Sequence, residues 1–141
     1  MALFGLFGSK QKGYASPWLQ LTVLYAMSPE GLAPEHAFAI RGKVILSKPL
    51  QFEFITSGAF LAFYPGTTAG LKAASEFADS LRHYAREKSV PSFGVSVQQG
   101  ECLAQMNAAG RLAAKPAGTV IAQTMSLALT EANAYPDSRQ H

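Results

Sequence analysis

Asn107 and Arg111 stand four residues apart, a spacing that on a helix sets a side-chain amide and a guanidinium on one face. A guanidinium so placed can clamp a phosphate through paired hydrogen bonds. Other residues that could do chemistry are sparse. His36, His83 and His141 lie far apart and match no ligand spacing such as His-x-x-x-His. No Gly-x-Ser-x-Gly elbow offers a nucleophile, and Gly66-Thr-Thr-Ala-Gly70 lacks the Gly-Lys-Ser/Thr end of a phosphate loop. The lone cysteine, Cys102, precludes an internal disulfide; with Leu103 and Ala104 after it, it reads as a small buried thiol in a reducing, cytoplasmic setting. Phe52, Phe54, Phe60, Phe63 and Tyr64 would form a base-stacking platform if basic residues interleaved them. None does, so they read as core.

These residues need elements to position them. Trp18 to Ala26 is rich in β-branched and aromatic residues and reads as a buried first strand, broken by Met27-Ser-Pro-Glu-Gly31. Pro34 to Arg41 reads as a short helix with Pro34 in its first turn; Lys43 to Leu46 either continues it or forms a strand, and Pro49 stops it. Gln51 to Thr56 alternates, Ser57-Gly58 is a two-residue turn, and Ala59 to Tyr64 is the return strand. Thr67 or Thr68 caps a helix whose apolar stripe is Leu71, Ala74, Phe77, Ala78, Leu81, Tyr84 and Ala85. Ser92 to Val97 reads as a strand, Gln98 to Cys102 as a connection and Leu103 to Ala114 as a helix stopped at Pro116-Ala-Gly118. Thr119 to Ala122 reads as a strand and Met125 to Asn133 as a last short helix. This order predicts an α+β, ferredoxin-like sandwich: a mostly antiparallel sheet with helices mainly on one face. Residues 18–134 form its single domain, between a flexible or docking tail at 1–17 and a polar tail from 135 to 141.

Of the 141 residues, 48% are hydrophobic and 15% charged, which points to apolar surface covered by a partner, a homodimer or another signalling protein. Twelve basic and nine acidic residues give +3, too mild and too scattered for nucleic acid. No apolar run reaches the ~18 residues of a membrane span. Leu3, Phe4, Leu6 and Phe7 beside Lys10 and Lys12 are the one feature that suits a peripheral membrane or scaffold contact.

Two stretches, Ser57 to Thr68 and Asn107 to Ala122, resemble the catalytic domain of the class III adenylate/guanylate cyclases. In that family a first strand ends in a metal-binding Asp, in a Leu-Phe-Ala-Asp pattern; Leu24-Tyr25-Ala26-Met27 is similar, with Met27 in the acidic position. A second metal Asp sits at a Gly-Asp-Gly-Phe turn; Ser57-Gly58-Ala59-Phe60 is similar, with Gly58 there. The family's purine-reading Lys, four residues before that Asp, corresponds to Phe54. Gly94 to Glu101 looks like the family's Gly-Ile-His-x-Gly-Glu strand and turn. The hairpin arm that follows it is missing, because only Cys102 to Met106 intervene before Asn107. The resemblance implies that Asn107 and Arg111 match the family's transition-state pair on a helix, as a vestigial nucleotide-binding site. It covers roughly Leu19 to Asn133.

Cyclisation of a nucleoside triphosphate needs two cations held between carboxylates. Met27 and Gly58 cannot ligate a hard cation, and neither Glu30 nor Glu53 stands at a matching position. The expectation is a non-catalytic, cyclase-like signalling or assembly domain without cofactor or metal. It would act through dimerisation or protein contact at an interface that the resemblance implies. The alternatives are a nucleotide sensor built on Arg111 and the Ser57-Gly58 turn, and an adaptor docked through its N-terminal segment.

Overall fold

The computed structural model describes residues 17–134; the two terminal tails read from the sequence lie outside the described residues. Strand β1 (Trp18–Met27) is followed by helix α1 (Pro34–Leu46), the hairpin β2 (Gln51–Thr56) and β3 (Ala59–Pro65), helix α2 (Thr68–Glu87), strand β4 (Gly94–Leu103) and helix α3 (Thr119–Ala134). The sheet order is β2-β3-β1-β4, antiparallel throughout. This is the expected α+β, ferredoxin-like arrangement. No helix of the described residues is long and apolar enough to cross a membrane.

Strand β1 is paired on both sides, and Leu21 to Ala26 are all buried. Its even positions Leu24 and Ala26 join Phe60, Ala62 and Tyr64 of β3 under α1 and α2. Its odd positions Leu21, Val23 and Tyr25 join Ala59, Leu61 and Phe63 against Val120 and Ala128 of α3. The period-2 alternation of a strand thus feeds two cores at once. Helices α1 and α2 share a face as expected, but α3 covers the other. Its approach is close: a Cβ at Gly94 would collide with the backbone of Ala128, and one at Gly100 would sit 3.0 Å from Val120.

Helix α2 starts where the cap chemistry placed it, with Thr67 Oγ1 accepting a hydrogen bond from the Gly70 amide at 3.0 Å. Five of its seven stripe residues are buried; Leu71 and Tyr84 lie at the margin, where Tyr84 Oη meets His36 Nδ1 of α1 at 2.9 Å. Helix α1 runs on through Gly42 to Leu46, which settles the reading of Lys43 to Leu46 as helix.

The chain departs from expectation between Gln98 and Ala122. Gln98 to Cys102 is not a connection but the second half of β4, which pairs with β1 from Met27↔Gly94 to Trp18↔Leu103. Leu103 to Ala114 is not a helix. The segment doubles back through the bridges Leu103↔Ala117 and Met106↔Leu112, so an irregular loop stands where sequence periodicity suggested a helix. Gly110, at φ +78°, turns it. Thr119 to Ala122 is the first turn of α3, not a strand.

Tyr64 is buried at the base of this core, with its hydroxyl 2.7 Å from Ser47 Oγ. Desolvation pushes its pKa from 10.0 to about 12, partly opposed by the Ser47 hydrogen bond. In the unfolded chain the phenol ionises near 10.0, so between pH 10 and 12 the unfolded state binds fewer protons and stability falls as pH rises. Urea melts of the wild type should lose up to about 1.4 kcal/mol per pH unit from this group across that window. Tyr64→Phe should flatten this part of the loss, and a profile identical to wild type would refute the assignment.

Candidate functional site

The two positions that the sequence resemblance matches to metal-binding carboxylates, Met27 and Gly58, lie at one end of the sheet. Met27 ends β1 between Ala59 and Gly94 and packs against the α3-side core. Gly58 forms the hairpin turn with Ser57, and its amide donates to Thr56 Oγ1 at 3.1 Å. The β1–α1 connection is laced onto that turn by backbone hydrogen bonds: Ser28 N–H to Gly58 O at 2.7 Å and Leu32 N–H to Ser57 O at 3.2 Å. Gly31, at φ +85°, closes the loop with its amide donating to Ser28 O at 2.9 Å.

This lacing fills the space that a side chain at 58 would need. A Cβ there would stand 2.5 Å from Ser28 O and 2.7 Å from Gly31 Cα, both backbone atoms that cannot swing aside. The adjoining cavity, about 280 Å³, is lined by Ser28, Pro29, Glu30, Gly31, Thr56 and Ser57. Glu30 is its single carboxylate, and the Ser28 hydroxyl is committed to Pro91 O at 2.9 Å. Glu53 is tied to Lys115 at 3.3 Å. Among the described residues no group of three or more His, Cys, Asp or Glu could hold a metal ion.

Phe54 does not face Met27. It packs on the α1 side, 5.4 Å from the Phe60 ring, with the Arg41 guanidinium 4.9 Å above it. A side chain at this position therefore lies on the α1 side of the sheet, beside Arg41 and away from Met27.

Asn107 and Arg111 are not on a helix, and the four-residue spacing acts differently from the expected pairing. Asn107 Oδ1 accepts hydrogen bonds from the amides of Ala109 at 2.9 Å and Arg111 at 3.1 Å. The Asn107 amide donates to Arg111 O at 2.8 Å. The Asn107 side chain thus closes its own turn, as asparagine commonly does. Arg111 is exposed and lines a groove of about 760 Å³ with Lys48, Leu50, Gln51, Phe52 and Leu112. Gln51 begins β2 and Thr56 ends it, so at ~3.3 Å per residue this groove lies about 17 Å along the strand from the Gly58 cavity. The structure does not bring Arg111 together with Met27 and Gly58.

Among solved structures, the chain is similar to the adenylyl cyclase CyaB from P. aeruginosa, with a TM-score of 0.60 and 13% identity over 86% of this chain and 74% of that one. The fold is that of a nucleotide cyclase domain. The guanylyl cyclase Cya2 aligns with a TM-score of 0.46 and 10% identity over 85% of this chain and 72% of that one. A bacterial light-regulated adenylyl cyclase aligns at 0.49 and 11%, over 80% of this chain and 40% of that one. No family model matches the sequence, and no curated protein matches it either. The likeness is one of architecture, so what this cyclase-like domain does must be argued from its own residues. A two-cation centre does not fit the residues at Met27 and Gly58.

Sequence reasoning missed the most developed polar cluster. Arg82 of α2 donates from Nε and Nη2 to the Glu131 carboxylate of α3, both at 3.1 Å, from Nη2 to Val95 O at 2.9 Å, and from Nη1 to Asp79 at 3.1 Å. Glu131 in turn accepts from the Val95 amide at 3.1 Å. The signal was present: Glu131 is the lone charged residue in the sixteen of α3. This cluster satisfies the outward N–H and C=O of an edge strand and pins a helix from each face to it.

Two outcomes follow for stability. Glu131→Gln should lower unfolding free energy by about 1–2 kcal/mol in urea, because the bidentate charge-assisted pair is lost while side-chain volume is kept. Gly58→Asp should cost more, about 2 kcal/mol or above, because backbone must move to admit the side chain. A folded, equally stable Gly58→Asp that binds Mn²⁺ tightly would overturn the steric reading.

Proposed function

We propose that this chain is a non-catalytic, cyclase-like domain that acts by association with another protein, a second copy of itself included, in the cytoplasm. The observation that carries this reading is the filled position at Gly58. Conversion of Gly58 to an acid would not by itself rebuild a metal site, because the Ser28 carbonyl and the Gly31 backbone occupy the space. Met27 supplies a thioether where a hard cation needs oxygen. Without cations to activate a hydroxyl and neutralise phosphate charge, the largest source of rate enhancement for cyclisation is missing.

A second reading, a nucleotide sensor without turnover, is favoured by one observation: Arg111 and Lys48 line the same groove, and neither forms an ion pair with a described residue. Two cations at one groove suit a polyphosphate. Against it, both are exposed, and the Asn107 side chain is spent on its own turn.

One experiment separates the two. The full chain is titrated with ATP and GTP in a calorimeter with Mg²⁺ or Mn²⁺, and the cell contents are then analysed for cyclic nucleotide. The assembly reading expects no binding heat at millimolar ligand and no product. Heat that disappears in Arg111→Ala, without product, would establish the sensor. Cyclic nucleotide made by the purified chain would end both readings.

A further inference from the structure

The groove beside Arg111 carries positive charge that no described residue answers. About 760 Å³ in volume, it is lined from one side by the α1–β2 connection and the start of β2, and from the other by the doubled-back loop. Lys48 comes from the first side and Arg111 from the second. Both are exposed, and neither forms an ion pair with a described residue. No Asp or Glu stands among the residues that line the groove. The one acid of β2, Glu53, is neutralised by Lys115 at 3.3 Å.

Both cations stand on main chain that is already fixed. Lys48 sits in the left-handed region at φ +57°, its amide donates to Ile45 O at 3.1 Å, and Pro49 follows it. Arg111 is held at both of its backbone groups by Asn107: its amide donates to Asn107 Oδ1 at 3.1 Å, and its carbonyl accepts from the Asn107 amide at 2.8 Å. The next residue, Leu112, is buried in the α3-side core. Charges mounted on a fixed frame lose less freedom when a ligand binds.

Between the cations the lining is largely apolar, with Leu50, Phe52 and Leu112. Gln51 is the polar exception. Its Oε1 is buried and has no hydrogen-bond partner among the described residues, an uncompensated cost for an acceptor. The terminal torsion of glutamine is broad, so a turn of this amide presents the oxygen to a donor in the groove.

We infer that this groove is the docking site for an acidic, extended peptide segment of a partner protein. Three features select that occupant. Cations on two sides suit carboxylates that flank an apolar residue, and the lining between them suits that residue. Gln51 Oε1 needs an N–H, which a peptide backbone supplies and a phosphate group or an acyl chain does not. A nucleotide would bring an N–H as well as charge, but its base needs a free ring to stack on. Phe52, the one aromatic residue of the lining, is packed against the α1-side core with the Arg41 guanidinium 5.9 Å from its centroid.

This inference rests on the association reading above and gives the chemistry of the partner. The test is selection from a phage-displayed library of random heptapeptides on the full chain, repeated on a Lys48→Asn/Arg111→Gln double variant; asparagine tolerates the left-handed backbone at 48. Wild type should enrich peptides in which Asp or Glu flanks a Leu, Ile or Phe, and the double variant should not. A synthetic copy of a selected peptide, followed by fluorescence anisotropy, should bind each single variant about tenfold more weakly and should lose affinity as salt rises. Gln51→Leu should weaken it several-fold, with the circular dichroism of every variant matching wild type. Enrichment of peptides without acids, or of none, would overturn the inference, as would acidic peptides that the double variant retains. Heat with ATP that Arg111→Ala abolishes, with no acidic peptide selected, would overturn it and give the groove to a nucleotide. Cyclic nucleotide made by the chain would end the association reading itself, whereas a failed selection ends only this one.

Discussion

Everything in this domain is hung on β1. A strand that is paired on both edges and covered on both faces must bury every residue of its middle, and Leu21 to Ala26 do so, Thr22 included. The Thr22 hydroxyl is tolerated there because it donates to Pro65 O at 2.8 Å and receives Gln99 Nε2 at 2.9 Å. Neighbouring residues of one strand serve different layers, so a register slip of one residue would exchange the two cores. The α1–α2 core takes the large rings of Phe60, Phe77 and Tyr64, whereas the α3 core is thinner and is completed by Leu112 from the doubled-back loop. A single strand therefore fixes the packing of three helices and one loop.

The edges of the sheet explain where polar groups are concentrated. At β4 the outward N–H and C=O of the buried Val95 are answered by Glu131 and Arg82, one from a helix on each face. That closes the edge at the point where α3 leaves the sheet and makes further strand addition there unfavourable. The turn at Gly58 is closed differently, by main-chain hydrogen bonds from Ser28 and Leu32. Backbone lacing is a compact way to hold a hairpin against a loop, but it occupies the volume that a side chain at position 58 would need.

How much of this was legible depended on whether local chemistry and tertiary contact agreed. The hairpin at Ser57-Gly58, the capped helix from Thr67 and the buried first strand were legible because turn residues, capping oxygen and periodicity all pointed one way. Gln98 to Ala122 was not. Leu103 to Ala114 has helix-forming composition, but Asn107 and Gly110 favour a turn, and the bridges to Met106 and Leu103 decide in their favour. Gly100 read as part of a connection and is instead a strand residue that contacts Val120, visible only once α3 is placed. The candidate site was half legible. That Met27 and Gly58 could not supply carboxylates was readable from residue type. That Asn107 and Arg111 lie on a loop, about a strand's length from the Gly58 turn, required the fold.

The difference matters for what the cyclase-like architecture can mean here. A lost carboxylate alone is a single-residue event, reversible by substitution. At Gly58 the Cβ position is occupied by the backbone of another loop, so a side chain there would require the frame itself to move. Such a frame is stable in its own right: Gly31 in the left-handed region, Gly58 without a side chain and Ser28 hydrogen-bonded at both its amide and its hydroxyl are mutually consistent choices. Mutual consistency of this kind makes the turn a rigid corner between the hairpin and the β1–α1 loop. The same lacing also fixes where α1 begins, because Leu32, which bonds to Ser57 O, stands two residues before Pro34, the first residue of the helix.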